Sequence, residues 1–223
     1  MSETGYRLVL GDKNYSSWSL RPWLLMRLLD IPFDEINVDI YRPGARKRIL
    51  EHSPSGKVPV LKVGSLTIWD TLAIVEYLAE AHTGLAIWPS SREARAMARV
   101  VSAEMHSGFD SLRSEMPMNM NSSKPVAEVG KGVGNDVARI VEIWKICRRK
   151  YGAEGPFLFG AFCAADAMYA PVTSRFRTYG VDLSAHGDDG TAQAYCETIL
   201  SLPEIEEWMH AGREQMAERG VAY

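Results

Sequence analysis

The sequence is short of what several large functional classes require. Cysteine is scarce. Cys147, Cys163 and Cys196 are an odd number without paired spacing, which excludes a disulfide framework or a cysteine metal cluster and suits a reducing compartment. The five histidines include no His-x-x-x-His or comparable ligand pair, so no metal is expected. Positive charge is not in excess. Twenty-five Lys and Arg stand against 28 Asp and Glu, a net charge of −3, which leaves no basic stripe for nucleic acid and no polybasic segment for an anionic membrane. The apolar runs are too short to span a bilayer. Met1-Ser2-Glu3-Thr4 leads straight into a strand-like stretch, so no secretory signal is expected. Internal repeats and low-complexity tracts are also missing. These absences together predict a cytoplasmic protein without a structural metal.

What is present suffices for a buried core. The chain has 223 residues, 46% hydrophobic and 24% charged, enough for one large domain or two modest ones. The first 80 residues alternate strand and helix patterns. Tyr6–Leu10 reads as a strand, Leu20–Leu29 as a helix with Pro22 early, and Phe33–Val38 as a strand. Arg42–Glu51 reads as a polar helix. Val58–Val63 and Leu66–Trp69 are strands joined by Gly64-Ser65, and Asp70-Thr71 opens a periodic helix. After residue 83 the strand patterns stop. Helices are expected over about 91–116, 125–151, 164–179, 191–200 and 203–218, with a loop over 180–190. The expected division is one domain over 1–83 (βαβ-α-ββα), a linker over 84–90, and an all-helical domain over 91–223.

Three features of the first domain bear on chemistry. In Asn14-Tyr15-Ser16-Ser17-Trp18-Ser19-Leu20-Arg21, between a strand and a helix, a serine hydroxyl either caps the helix or donates to an anion held at its N-terminus. In Lys57-Val58-Pro59-Val60 the proline removes a ladder donor. It is either an edge-strand proline or part of a cis Val58-Pro59 bond that presents the Val58 N–H and C=O to a ligand. Asp70-Thr71 is either a good helix start, or a carboxylate for a ligand ammonium beside a hydroxyl and free N–H groups for its carboxylate.

A hydroxyl, a backbone clamp and an amino-acid-head clamp in that order resemble the glutathione transferase family, and the resemblance runs almost end to end. Val58-Pro59 and Asp70-Thr71 followed by Leu72-Ala73-Ile74 are similar to that family's cis-proline and acid–hydroxyl pair. Ala164-Ala165-Asp166 after Phe157-Leu158-Phe159-Gly160 is similar to the start of its central helix. The run from Ser16 to Arg21 resembles the serine-type subclasses, zeta in particular. The fold implied is a thioredoxin-like α/β N-terminal domain followed by an all-α C-terminal domain, the glutathione transferase fold.

The resemblance also implies roles. Ser16 looks like the hydroxyl that stabilises the glutathione thiolate, with Ser17 its rival. Lys57 would reach the glycyl carboxylate, and Val58, before Pro59, would pair its backbone with the cysteinyl unit. Asp70 and Thr71 would hold the γ-glutamyl end. Glutathione is then the co-substrate, a small electrophile the second substrate, no metal takes part, and the protein is a homodimer. The activity implied is conjugation, or an isomerisation of the zeta kind. A non-catalytic binding module and a glutathione-dependent peroxidase are the alternatives.

Two positions depart from the family pattern. Cys163 stands where a helix-capping Ser or Thr is usual, which should weaken that cap by about 1 kcal/mol. Asp70 stands where Glu is commoner. Trp18 and Trp23 are expected to pack rather than to line a site, and most of Met105, His106, Phe109, Arg113, Met116 and Met118 to be core or dimer contact, with one or two facing the second substrate. Arg21 and Arg113 are the basic groups available for a substrate carboxylate.

Overall fold

A computed structural model describes residues 5–220. Met1–Thr4, on which the expectation of no secretory signal rests, and residues 221–223 lie outside the described residues. Four strands, β1 (Tyr6–Leu10), β2 (Asp34–Asn37), β3 (Val60–Val63) and β4 (Leu66–Trp69), form one sheet in the order β2-β1-β3-β4. β1 runs parallel to β2 and antiparallel to β3, and β3 is antiparallel to β4. Strand alternation divides β1 between two cores. Leu8 and Leu10 join the large core, whereas Val9 packs with Val38, Ile49 and Val60 beneath α2 (Ala45–Leu50). The other face is covered by α1 (Ser17–Leu28) and α3 (Thr71–Ala81). This is the thioredoxin-like arrangement that the sequence predicts.

Beyond it the chain is helical: α4 (Arg92–Ser107), α5 (Asp110–Glu115), α6 (Lys131–Tyr151), α7 (Ala164–Tyr179), α8 (Thr191–Leu200) and α9 (Pro203–Glu218). The last three match the expected bounds. The segment 84–90 carries no helix or strand, yet it is docked: Ile87 is buried and its C=O accepts from Ala164 N–H at 2.8 Å.

Two expected helices are shorter than their patterns. The one over 91–116 breaks at Gly108-Phe109, where Phe109 takes φ 61° and begins α5 in a new direction. Arg113 folds back across the break and donates to the carbonyls of His106 and Gly108, both at 3.3 Å, satisfying helix-end acceptors. The one over 125–151 starts only at Lys131. The stretch before it lies against the end of α7, with Lys124 N–H donating to Thr178 O and Val126 N–H to Tyr179 O. The first difference is held by a side chain five to seven residues on, the second by partners more than 50 residues away.

α7 is buried on nearly all sides, and Asp166 anchors its first turn. Its Oδ2 accepts from Cys163 N–H at 2.9 Å, and its Oδ1 from Leu158 N–H at 3.0 Å and Tyr195 OH at 3.1 Å. The acid half of the cap thus keeps full oxygen geometry although Cys163 supplies only a sulfur. Burial pushes the Asp166 carboxyl up to about 6, against these three hydrogen bonds. A carboxyl whose pKa rises on folding binds more protons folded than unfolded between roughly pH 4 and pH 6. Its contribution to stability therefore falls as pH rises through that window.

Asp166→Ala leaves three buried donors unpaired and is expected to lose about 2–3 kcal/mol in urea unfolding at neutral pH. The stability gap between wild type and variant should narrow as pH rises from about 4 to about 6. A variant as stable as wild type would remove Asp166 as the anchor of α7.

Candidate functional site

The turn from β1 into α1 carries the serines, and Asp12 organises it. The Asp12 carboxylate accepts from Asn14 N–H at 2.9 Å and Tyr15 N–H at 3.2 Å, and its C=O takes Ser16 N–H at 2.7 Å. Ser16 is the residue before α1, and its side chain makes no cap bond. Its hydroxyl turns inward and donates to Ser19 Oγ at 2.8 Å, which also accepts from Gly11 N–H. Ser17 begins α1. Its hydroxyl has no hydrogen-bond partner among the described residues, and it lines a cavity.

Two cavities meet at Trp18 and Arg113, which line both. The first, of about 510 Å³, gathers the remaining residues singled out from the sequence: Lys57, Val58, Pro59, Asp70 and Thr71. The Val58-Pro59 bond is cis, and the Val58 N–H makes no hydrogen bond to another described residue. Lys57 is exposed and has no acid partner among the described residues. Asp70 sits at φ 78° and caps α3, accepting from Leu72 N–H at 2.9 Å through Oδ1. Thr71 is buried and donates to Trp18 O at 3.3 Å, tying α3 to the start of α1.

The second cavity, of about 480 Å³, holds Ser17 with Tyr15, Met118, Arg113 and Arg175. Three guanidiniums converge here. Those of Arg21 and Arg113 lie 4.1 and 4.9 Å from the Trp18 ring centroid, and Arg175 is buried in the cavity wall. None of the three pairs with an acid among the described residues. Their hydrogen bonds go to backbone carbonyls: Arg21 to Ser17 and Met168, Arg175 to Met116 and Pro171. Burial, then the neighbouring Arg175 and Arg113 charges, hold Arg21 well below the usual guanidinium range. Burial, then Arg113, lowers Arg175 to about 10. Three guanidiniums without acid partners among the described residues make the junction electropositive.

The sequence undervalued Trp18, while Arg113 was among the residues it offered for the site. Trp18, expected to pack, lines both cavities, whereas Trp23 is fully buried as expected. His106 and Arg113 reach the site, while Met105, Phe109 and Met116 are core. His106 Nε2 lies 2.8 Å from Asp70 Oδ2, and its ring meets Trp18 edge-on. The available signal was the seven-residue spacing of His106 and Arg113, which the break at Phe109 put to a different use. Arg175 carried no sequence signal. No group of His, Cys, Asp or Glu among the described residues could hold a metal ion, and no helix among them is long and apolar enough to cross a membrane.

Comparison with known proteins agrees with this geometry. Residues 15–81 match the family model described as the glutathione S-transferase N-terminal domain. A probable maleylacetoacetate isomerase of Caenorhabditis elegans is 25% identical over 189 residues, covering 84% of this chain and 86% of that one. The maleylacetoacetate isomerase of Rhizobium meliloti is 28% identical over 197 residues, covering 79% and 85%. Among solved structures, a glutathione transferase homolog from Burkholderia GL BGR1 with bound glutathione superposes with a TM-score of 0.68 at 21% identity, covering 94% of this chain and 98% of that one. Residues 15–81 thus match the glutathione S-transferase N-terminal domain, the chain is similar to maleylacetoacetate isomerases over most of its length, and its fold is that of the glutathione transferases.

Proposed function

We propose that this protein is a glutathione-dependent enzyme that activates the glutathione thiol for attack on a small anionic electrophile. Lys57 takes the glycyl carboxylate, and the Val58 backbone pairs with the cysteinyl unit. Asp70 takes the γ-glutamyl ammonium, and Thr71 with the N-terminus of α3 takes the neighbouring carboxylate. The thiol then reaches the junction at Trp18. The observation that carries the reading is that the cavity holding these four residues shares Trp18 and Arg113 with the cavity holding Ser17.

A free thiol has a pKa of about 8.5, so only a few per cent is thiolate near neutrality. Lowering it by about two units takes roughly 2.7 kcal/mol of preferential interaction with the anion. A serine hydroxyl at the head of α1 supplies one hydrogen bond, and the helix dipole and the Arg21 and Arg113 charges add to it. Ser17 is the foremost donor because its hydroxyl is uncommitted. Ser16 shares its proton with Ser19 and must rotate to serve. The hydroxyl need only donate; the nucleophile belongs to glutathione, and the enzyme positions it.

Arg113 and Arg175 set the class of the second substrate. Two guanidiniums without acid partners favour a carboxylate-bearing electrophile, a class to which maleylacetoacetate, named for the relatives, also belongs. With a conjugated double bond, the thiolate adds at the electron-poor carbon and the bond becomes single and free to rotate. Elimination of the same thiolate then restores the double bond as the other isomer. If the adduct is protonated first, the product is the conjugate. The reading includes a homodimer in the cytoplasm, with exposed Leu66 and Trp69 of β4 and Val100 of α4 as the apolar surface available to a second copy.

Isothermal titration with glutathione is the primary test. Wild type should bind, and Asp70→Ala should bind at least about tenfold more weakly, having lost a charge-assisted contact. Ser17→Ala should keep its affinity within a few-fold but raise the pKa of the bound thiol by about 1–2 units, with a smaller rise for Ser16→Ala. A larger effect at Ser16 would reassign the donor, and no heat with wild type at millimolar glutathione would sink the reading.

Arg113→Ala should lower kcat/KM for carboxylate-bearing electrophiles about 10–100-fold, and for neutral ones by much less. Equal losses for both would remove the anionic-substrate assignment. Light scattering in solution should give twice the chain mass, and a monomer would overturn the dimer.

A further inference from the structure

We propose that Arg219, the residue immediately after α9, is a positioning residue for the serine turn, latching the C-terminal helix onto the start of α1. The inference rests on the proposed role of Ser16 and Ser17, but its structural half can be tested without glutathione.

Asp12 is the keystone of the turn, and its side chain is wholly buried. One carboxylate oxygen is used by Asn14 and Tyr15 N–H, and the other forms an ion pair with the Arg219 guanidinium. Arg219 also reaches Asp39 Oδ2 at 3.2 Å, so one guanidinium joins the turn after β1 to the segment after β2. A buried carboxylate stripped of its cation is strongly unfavourable, and the turn would have to open to hydrate it.

The rest of α9 grips the same turn. Gln215 Oε1 accepts from Lys13 N–H at 2.9 Å. Gly212 lies so close to Asn14 that a Cβ there would stand 3.2 Å from its backbone nitrogen. From the other side, Met120 N–H donates to Asn14 O at 3.1 Å, and Asn121 N–H to Asn14 Oδ1 at 3.0 Å. Residues 12–16 are therefore held between α9 and the 119–121 segment, and Ser16 and Ser17 inherit that placement. A hydroxyl that must meet a thiolate at hydrogen-bond distance tolerates little displacement, whereas the clamp at Lys57, Val58, Asp70 and Thr71 lies on elements that α9 does not hold.

The test compares Arg219→Ala and Arg219→Lys with wild type. In ligand-free protein, amide hydrogen exchange at Asn14, Tyr15 and Ser16 should quicken at least about tenfold in Arg219→Ala, with α7 and the sheet unchanged. With glutathione bound, the thiol pKa read from thiolate ultraviolet absorbance should rise by about one unit, while the dissociation constant stays within about twofold. Arg219→Lys, which keeps the charge but not the two-way fork, should fall between the two.

Unchanged exchange at residues 14–16 in Arg219→Ala overturns the latch. So does a uniform quickening across the chain, which would make Arg219 a general support of the fold. Quickened exchange with an unchanged thiol pKa overturns the positioning role. If wild type binds no glutathione, the functional reading fails, and the exchange result still decides whether the latch exists.

Discussion

The arrangement at the site depends on one buried cation. The Arg21 guanidinium donates to Ser17 O within α1 and to Met168 O in α7, with no carboxylate among the described residues to neutralise it. It ties the helix that presents the serines to the central helix of the second domain, and it lies over the Trp18 ring. Burying an uncompensated charge is costly in any fold. Two backbone carbonyls and an aromatic face offset part of that cost, and Arg175 and Arg113 nearby add to it. On the proposed reading, an anion bound where the two cavities meet would relieve the remaining imbalance. Stability and function are thus opposed at this point, as expected where pKa values are most disturbed.

The two halves of the molecule contribute different things. On the proposed reading the sheet domain supplies recognition by main chain and helix ends: a Val58 N–H without a partner among the described residues, an exposed Lys57, and Asp70 with Thr71 at the head of α3. The helical domain supplies charge and confinement, through Arg113 on α5, Arg175 on α7 and His106 on α4. The break at Gly108-Phe109 is what lets α4 and α5 both face the site, since an unbroken helix would carry Arg113 away along its axis. The Asp166 anchor keeps α7, and with it the floor beneath Arg21, in place.

Much of the fold was legible. The strand and helix order of the first domain followed from alternation and from glycine and proline punctuation, and the bounds of α7, α8 and α9 could be read to the residue. The misreadings lie where hydrogen bonds from outside the helical repeat take over the backbone. Gly108-Phe109 bears an ordinary helical pattern, and nothing local announces that Arg113 will cap α4. Segment 117–130 contains helix-compatible residues but is held by the carbonyls of Thr178 and Tyr179. At the site, Lys57, Val58, Pro59, Asp70 and Thr71 were found together because their spacing is local. Arg175 was not, because it meets Met116, 59 residues away, and the cavity residues only in the folded chain.

The sequence by itself determined the order of elements and the division into a sheet half and a helical half. Each of these depends on periodicity and on side chains within one turn or strand. Only the tertiary structure decided that Ser16 turns inward while Ser17 faces the cavity, that Trp18 lines the site and Trp23 the core, and that α9 reaches back to Asp12. Those outcomes depend on which groups are near in space, and a chain's local pattern carries no record of a partner two hundred residues away.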